Sequence, residues 1–214
     1  MFRQFRELKQ GEFILLFVDT SGEGSDYNAG HFLSKQRLDI PIVLHYQGSI
    51  VDVTPEVKNV LEQIYRITGV KPVVCYETNN GGGYELDRLD RLNREDNYVI
   101  YRQYKLDSEG KLVKTDKKGW NTNSATRPQM LQTVLDFIDN ELVTIYDEPT
   151  ITEGFSFVKK KTPSGWRLEA EEGSHDDLIM ALAGVLQMYQ TEEPQIIDDS
   201  DEDYKTGDIT SFWR

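Results

Sequence analysis

Three acidic positions stand far apart in the sequence, each at the edge of an apolar element. Asp19 ends the run Phe13-Ile14-Leu15-Leu16-Phe17-Val18-Asp19, Glu77 ends Val73-Val74-Cys75-Tyr76-Glu77, and His175-Asp176-Asp177 opens Leu178-Ile179-Met180-Ala181-Leu182-Ala183-Gly184-Val185. A carboxylate at a strand end costs desolvation unless something cationic sits beside it. Three that converge offer hard oxygen donors to divalent cations, and the chemistry such a site performs is metal-assisted cleavage of a phosphodiester. Two Mg²⁺ or Mn²⁺ ions about 3.5–4 Å apart activate a water and stabilise the leaving oxygen. In this reading Asp19 is the bridging carboxylate, Glu77 and Asp177 complete the two coordination spheres, and His175 positions water or phosphate.

The third station resolves further by helix geometry. At about 100° per residue, Leu178, Ala181, Leu182, Val185, Leu186 and Tyr189 share one face. Asp176 points away from that face, while Asp177 and His175 flank it. Asp177 is therefore the favoured ligand and Asp176 a secondary one. Each acid also has a purely structural reading: Asp19 as a turn cap, and Asp176 and Asp177 as favourable charges at a helix N-terminus. Gly81-Gly82-Gly83 lacks the GxxxxGK[ST] spacing of a nucleotide loop and is read as a place of close backbone approach to a polymer. Asp26 is read as a turn residue.

The elements that must carry these residues follow from periodicity. Residues 13–19, 28–34 and 41–46 read as three strands of an antiparallel meander. Thr54-Pro55-Glu56-Val57 has the form of a helix start, with apolar positions at 57, 60, 61, 64, 65 and 67. Strands are expected at 70–76 and 97–101, with a helix over about 84–95 between them. Residues 102–119, turn-rich around Asp107-Ser108-Glu109-Gly110, suggest a projecting β-hairpin. Arg127-Pro128 opens a helix, short strands are expected near 142–146, 154–158 and 165–168, and a last helix spans 175–190. Strands first in a meander and then alternating with helices mean an α/β fold with a mixed sheet and helices packed on it.

Composition bounds the function classes. At 214 residues and 38% hydrophobic content, the chain fits one domain with a proper core, over residues 1–190. No stretch approaches the roughly 20 apolar residues of a membrane span, and the N-terminus lacks the apolar core of a signal sequence. The single cysteine, Cys75, excludes an internal disulfide, fits a reducing compartment and reads as a small buried side chain. The net charge of −13 argues against a general nucleic-acid coat protein. Acids concentrate from Glu192 to Asp203, so residues 191–214 are read as a solvated acidic tail. Basic residues cluster at Lys111, Lys114, Lys117 and Lys118 and at Lys159-Lys160-Lys161.

The ordered set Val18-Asp19-Thr20-Ser21-Gly22, Tyr76-Glu77-Thr78-Asn79 and Gly173-Ser174-His175-Asp176-Asp177-Leu178-Ile179-Met180-Ala181-Leu182 resembles the nuclease domain of the large terminase subunit of tailed bacteriophages. Gly119-Trp120-Asn121-Thr122-Asn123 with Arg127-Pro128, and Glu153 followed by Phe155 and Phe157, extend the likeness over roughly residues 11–190. The resemblance implies an RNase H-like fold with a central five-stranded mixed sheet. It also implies a two-metal endonuclease, using Mg²⁺ or Mn²⁺, that cuts concatemeric viral double-stranded DNA during packaging in the host cell cytoplasm. Asp19, Glu77 and Asp177 match the family's catalytic acids. Lys117, Lys118 and Arg127 are candidate DNA contacts. The implied partners are double-stranded DNA, an ATPase motor domain, the small terminase subunit and the portal. The chain has no Walker motif, so it is expected to be a C-terminal domain without the motor. Three other readings stay open: an actin-like or sugar-kinase phosphate loop at 18–24, another RNase H-like nuclease such as a junction resolvase or transposase core, and a non-catalytic packaging docking module.

Overall fold

The computed structural model describes residues 1–21, 27–162, 165–171 and 175–194. The expected turn at Asp26 and the glycines at 22 and 24 lie outside these residues, as does the acidic tail from 195 onward. The elements in order are β1 (Phe2–Gln4), β2 (Ile14–Asp19), β3 (Tyr27–Ser34), β4 (Asp39–Gln47), α1 (Ile50–Thr68), β5 (Val73–Tyr76), α2 (Gly82–Leu92), β6 (Val99–Ile100), β7 (Arg102–Leu106), β8 (Leu112–Lys118), α3 (Thr126–Asp139), β9 (Thr144–Ile145), α4 (Glu148–Phe155), β10 (Phe157–Thr162), β11 (Gly165–Ala170) and α5 (Asp177–Tyr189).

The five expected strands form one mixed sheet. β2, β3 and β4 make the antiparallel meander, and β5 and β6 add parallel to β2. Two short strands enlarge it to seven in the order β1-β4-β3-β2-β5-β6, with β9 also on β4. β1 pairs with Ile42–Leu44 and β9 with Asp39–Ile40, so together they cover the outer edge of β4. An uncovered edge would offer unpaired backbone groups to other chains. β9 falls within the strand expected near 142–146, whereas β1 has no local pattern long enough to announce itself. What holds them is remote: Arg3 makes a two-pronged bond to Asp147, and Arg6 bonds Asp39 and Glu12.

Strand alternation divides the interior into two layers. Leu15 and Phe17 of β2 face α3 and α5, whereas Ile14, Leu16 and Val18 face α1 and α2. Cys75 is buried in the first layer, as its apolar setting predicts. α5 departs from the one-faced helix expected. Ten of its residues are buried, Ile179, Met180 and Ala183 included. The sheet covers one side, through β2 and β3, and α3 and α4 cover the other.

Gly184 sets how closely α5 approaches the sheet, since a Cβ there would fall 2.4 Å from the Phe17 ring. Gly184→Ala would gain up to about 1 kcal/mol of helix propensity. The clash is expected to outweigh this, because overpacking a dense core typically costs about 1–3 kcal/mol. Calorimetry should show a lower melting temperature, and an unchanged or higher one would contradict this packing.

α1 begins five residues earlier than Thr54-Pro55 suggests. Ser49 is its N-cap, its hydroxyl accepting from Val51 N. Pro55 lies inside the helix and cannot donate to the Val51 carbonyl. Arg88 Nη1 from α2 takes that bond instead, at 3.0 Å, so a tertiary contact satisfies what the sequence reads as a helix boundary. The strand expected at 154–158 is also corrected: residues 148–155 are α4, opened by an Asp147 cap, and the strand begins at Phe157. The hairpin expected at 102–119 is β7–β8, and β10–β11 form a second two-stranded sheet. Glu192, read as the start of the tail, is instead buried against the first hairpin, accepting from Tyr104 Oη at 3.0 Å and Lys114 Nζ at 3.1 Å. Among the described residues, no helix is long and apolar enough to cross a membrane.

Candidate active site

Parity and register bring the first two stations together. Asp19 follows Leu15 and Phe17 on the α5 side of β2, and Glu77 follows Val73 and Cys75 on the same side of β5. The strands are parallel with Val18 opposite Tyr76, and Glu77 N donates to Val18 O at 2.8 Å. The next residue along each strand is the acid. Their carboxyl groups are in hydrogen-bond contact, with Asp177 and Asp176 also near. Crowding by surrounding atoms, the Glu77 contact and these like charges raise the Asp19 pKa well above the usual carboxylate range.

The segment after Glu77 is built to hold it. Asn79 Nδ2 donates to Glu77 Oε1 at 2.7 Å and to Thr122 O at 3.0 Å, while Asn121 Nδ2 donates to Asn79 Oδ1 at 3.1 Å. Thr20 Oγ1 donates to the carbonyls of Glu77 and Asn79, each at 3.1 Å. Glu77 and Trp120 form a parallel bridge that ties the 119–123 segment to the strand end. The glycine run belongs to this arrangement. A Cβ at Gly82 would sit 1.9 Å from Glu77 O and 2.6 Å from Thr20 Oγ1. At Gly82 the close approach is to the chain's own backbone.

The third station joins from α5. Asp177 is the first residue of the helix and Asp176 its N-cap position. Asp176 pairs with Arg127 of α3, so the expected secondary metal ligand and one expected DNA contact neutralise each other. His175 Nδ1 lies 3.7 Å from Asp177 Oδ2. Its ring meets the Tyr27 ring edge-on, and Tyr27 stacks on His45 at 4.3 Å. Glu153 of α4, to which sequence reasoning gave no site role, lies beside this cluster. Its Oε1 accepts from Ile179 N at 2.8 Å, and the Leu178 amide lies close enough to favour its charged form. Burial, with Asp177 and Asp176 near, raises its pKa to about 7 against these amides. Glu153 and Asn79 carried no signal beyond their place in a matched segment and two residues after an acid.

Grooves flank the acids. One of about 870 Å³ runs between α2, the β7–β8 hairpin and the 121–126 segment, lined by Tyr84, Lys117, Lys118, Asn121 and Asn123 among others. Lys117 faces it, whereas Lys118 is already paired with Asp87 and Asp90 of α2. A second, of about 530 Å³, is lined by Tyr27, His45, Glu153 and His175.

The donor set fits a hard divalent cation. It consists of carboxylate oxygens, two of them pressed together, with Asp19 holding its proton more tightly for want of an opposite charge. Among the described residues, no three His, Cys, Asp or Glu side chains close into a ready cage. Mg²⁺ does not require one, because it keeps several waters and is held by one or two carboxylates plus substrate phosphate.

No protein-family model and no curated protein sequence matches the chain. Solved structures do. The large terminase nuclease from thermophilic phage G20c with bound magnesium superposes with a TM-score of 0.63 at 16% identity, covering 87% of this chain and 86% of that one. The human cytomegalovirus terminase nuclease domain, soaked with manganese and inhibitor-bound, gives 0.56 at 9% identity over 83% and 84%. Further G20c nuclease structures contain cobalt or zinc. With its mixed sheet, flanking helices and coverage of most of each chain, this protein has the RNase H-like fold of the terminase nuclease domains.

Proposed function

We propose that this chain is the nuclease domain of a phage large terminase subunit, a metal-dependent endonuclease that cuts concatemeric viral double-stranded DNA during packaging. The observation that carries the reading is the Asp19–Glu77 carboxylate pair at adjacent parallel strand ends, faced by Asp177, in a fold shared with nucleases that bind magnesium or manganese. Asp19, Glu77 and Asp177 would hold two ions. When bound, such ions supply a nucleophilic water at neutral pH and charge stabilisation at the leaving oxygen.

The chain's own groups do the rest. Asn79 fixes the direction of Glu77, and Arg127 draws Asp176 aside, leaving Asp177 as the principal acid of α5. His175, beside Asp177, would hold water or a phosphate oxygen. Lys117 is the basic side chain of the larger groove that is available to a phosphate backbone, with Lys118 and Arg127 partly spent on acids. Contacts to metal and phosphate carry no base information, so cleavage should show little sequence preference. The ATPase domain, small subunit and portal are the partners of this reading, and the host cytoplasm its compartment.

The test is cleavage of supercoiled plasmid by the purified chain with Mg²⁺, Mn²⁺ or EDTA. Nicking and linearisation with either metal and none with EDTA are expected. Metal-independent cutting would refute the mechanism, and no cutting with either metal would favour the docking-module reading.

A further inference from the structure

We infer that Glu153 is a positioning residue for Asp177: it caps α5 from a different helix and thereby fixes the acid's direction toward Asp19. A helix leaves its first N–H groups without intrahelical partners, and the N-cap side chain ordinarily accepts one of them. In α5 that provision is missing. Asp176, at the N-cap position, makes no side-chain cap bond and turns to Arg127 instead. Leu178 and Ile179 are buried, at 1% and 4% exposure, so water is no substitute for their amides. Glu153 supplies the acceptor from α4, taking Ile179 N at 2.8 Å with the Leu178 amide beside the same carboxylate. These are the two peptide groups that follow Asp177.

The borrowed cap is itself firmly placed. Asp147 caps α4 by accepting from Thr150 N and Thr150 Oγ1 at 3.0 and 2.8 Å. It is held in turn by the two-pronged bond from Arg3 of β1. His31 of β3 contacts Thr150 Oγ1 at 3.0 Å. Gly154 lets α4 lie close to α5, since even a Cβ there would reach 3.3 Å from Ile179 Cδ1. A chain of contacts therefore runs from the sheet through α4 to the first turn of α5. Arg127 fixes the residue before Asp177, and Glu153 the turn that follows it.

The activity arm of this inference rests on the nuclease reading, whereas the capping arm does not. The experiment compares wild type with Glu153→Ala, Glu153→Asp and Glu153→Gln. Gln keeps a carbonyl acceptor at the same reach, and Asp is one methylene short. Three quantities are read: amide hydrogen exchange at Leu178 and Ile179, Mn²⁺ binding by electron paramagnetic resonance, and kcat and KM on supercoiled plasmid. In the Ala and Asp variants the two amides should exchange at least about tenfold faster, Mn²⁺ should bind roughly 10-fold or more weakly, and kcat should fall by about 10–100-fold with KM little changed. Gln should restore all three to within a few-fold of wild type. Should the Ala variant fail to fold, the Gln and Asp pair decides. If Gln loses Mn²⁺ as completely as Asp while the amides stay protected, Glu153 is a metal ligand and the positioning role is overturned. Wild-type behaviour of the Asp variant would overturn it too. A wild-type chain that cuts no DNA, with the exchange and Mn²⁺ shifts intact, would remove the nuclease reading and leave the positioning role standing.

Discussion

Asp19→Asn is expected to abolish plasmid cleavage while making the metal-free protein more stable. Asparagine keeps the size of the side chain and removes the charge that an ion between the acids would need. A loss of at least about 10³-fold is expected, which corresponds to about 4 kcal/mol of transition-state stabilisation at 1.36 kcal/mol per tenfold. The stability change has the opposite sign. The Asp19 pKa is raised in the folded protein by crowding, by the Glu77 contact and by Asp177 and Asp176, so the folded state binds its proton more tightly than the unfolded chain does. Stability from this group is then complete below the ordinary carboxylate pKa and is lost as pH rises through the folded value. At neutral pH the ionised cluster works against folding, and Asp19→Asn should recover of order 1–3 kcal/mol. Calorimetry in EDTA should place the variant several degrees higher, at roughly 2–4 °C per kcal/mol for a chain of this size.

Mn²⁺ should raise the melting temperature of wild type and leave the variant unmoved, by the mass-action term that favours whatever binds the folded state. The same proton makes metal affinity pH-dependent, since the ligand must be deprotonated to bind. Mn²⁺ affinity should therefore climb as pH is raised from the acid side toward neutrality. A variant destabilised in EDTA, or an affinity independent of pH, would mean that Asp19 and Glu77 do not share the strained pair described.

Gly82→Ala is expected to cost about 10²-fold in cleavage rate with little effect on DNA affinity. Helix propensity alone argues the other way. Gly82 is the first residue of α2, and alanine in a helix interior is favoured over glycine by up to about 1 kcal/mol. Geometry decides against it. The added Cβ would lie 1.9 Å from Glu77 O and 2.6 Å from Thr20 Oγ1, distances at which something must move. What moves is the peptide of Glu77, the hydroxyl that anchors it, or the start of α2. A displacement of about 1 Å of a reacting or ligating group is enough for a loss near 10²-fold. Gly83→Ala is the matched control, because its nearest neighbour would be Thr78 O at an ordinary 3.5 Å. It should cleave as wild type does. Equal activity of the two variants would show that the approach of α2 to Glu77 does not matter to the site.

Much of this arrangement was legible because it is local. The runs ending in Asp19 and Glu77 have strand length and a two-residue period, and that period alone puts each acid on the same side of its strand as Leu15, Phe17, Val73 and Cys75. The hairpin announced itself through Asp107 and Gly110, where the Asp107 carboxylate accepts from Glu109 N and Lys111 N. Where reading failed, a remote partner had replaced the local signal. Thr54-Pro55 looks like a helix start because proline lacks a donor, but Arg88 supplies the missing bond and α1 runs through. α5 looks one-faced, but α3 and α4 bury its other side. Residues 154–158 look strand-like, but the Asp147 cap, secured by Arg3, makes a helix of 148–155.

By itself the sequence determined the acids, their order and the face of each strand that carries them, since residue type and pleat alternation are properties of the chain within a few positions. The tertiary structure alone decided that β5 lies beside β2 in the register that sets Glu77 next to Asp19, that Arg127 claims Asp176, that Lys118 is spent on α2, and that Glu153 caps a helix not its own. Each of these joins groups at least 25 residues apart. Such pairings depend on how layers pack and where their ends fall in space, and no periodicity of two or 3.6 residues encodes that.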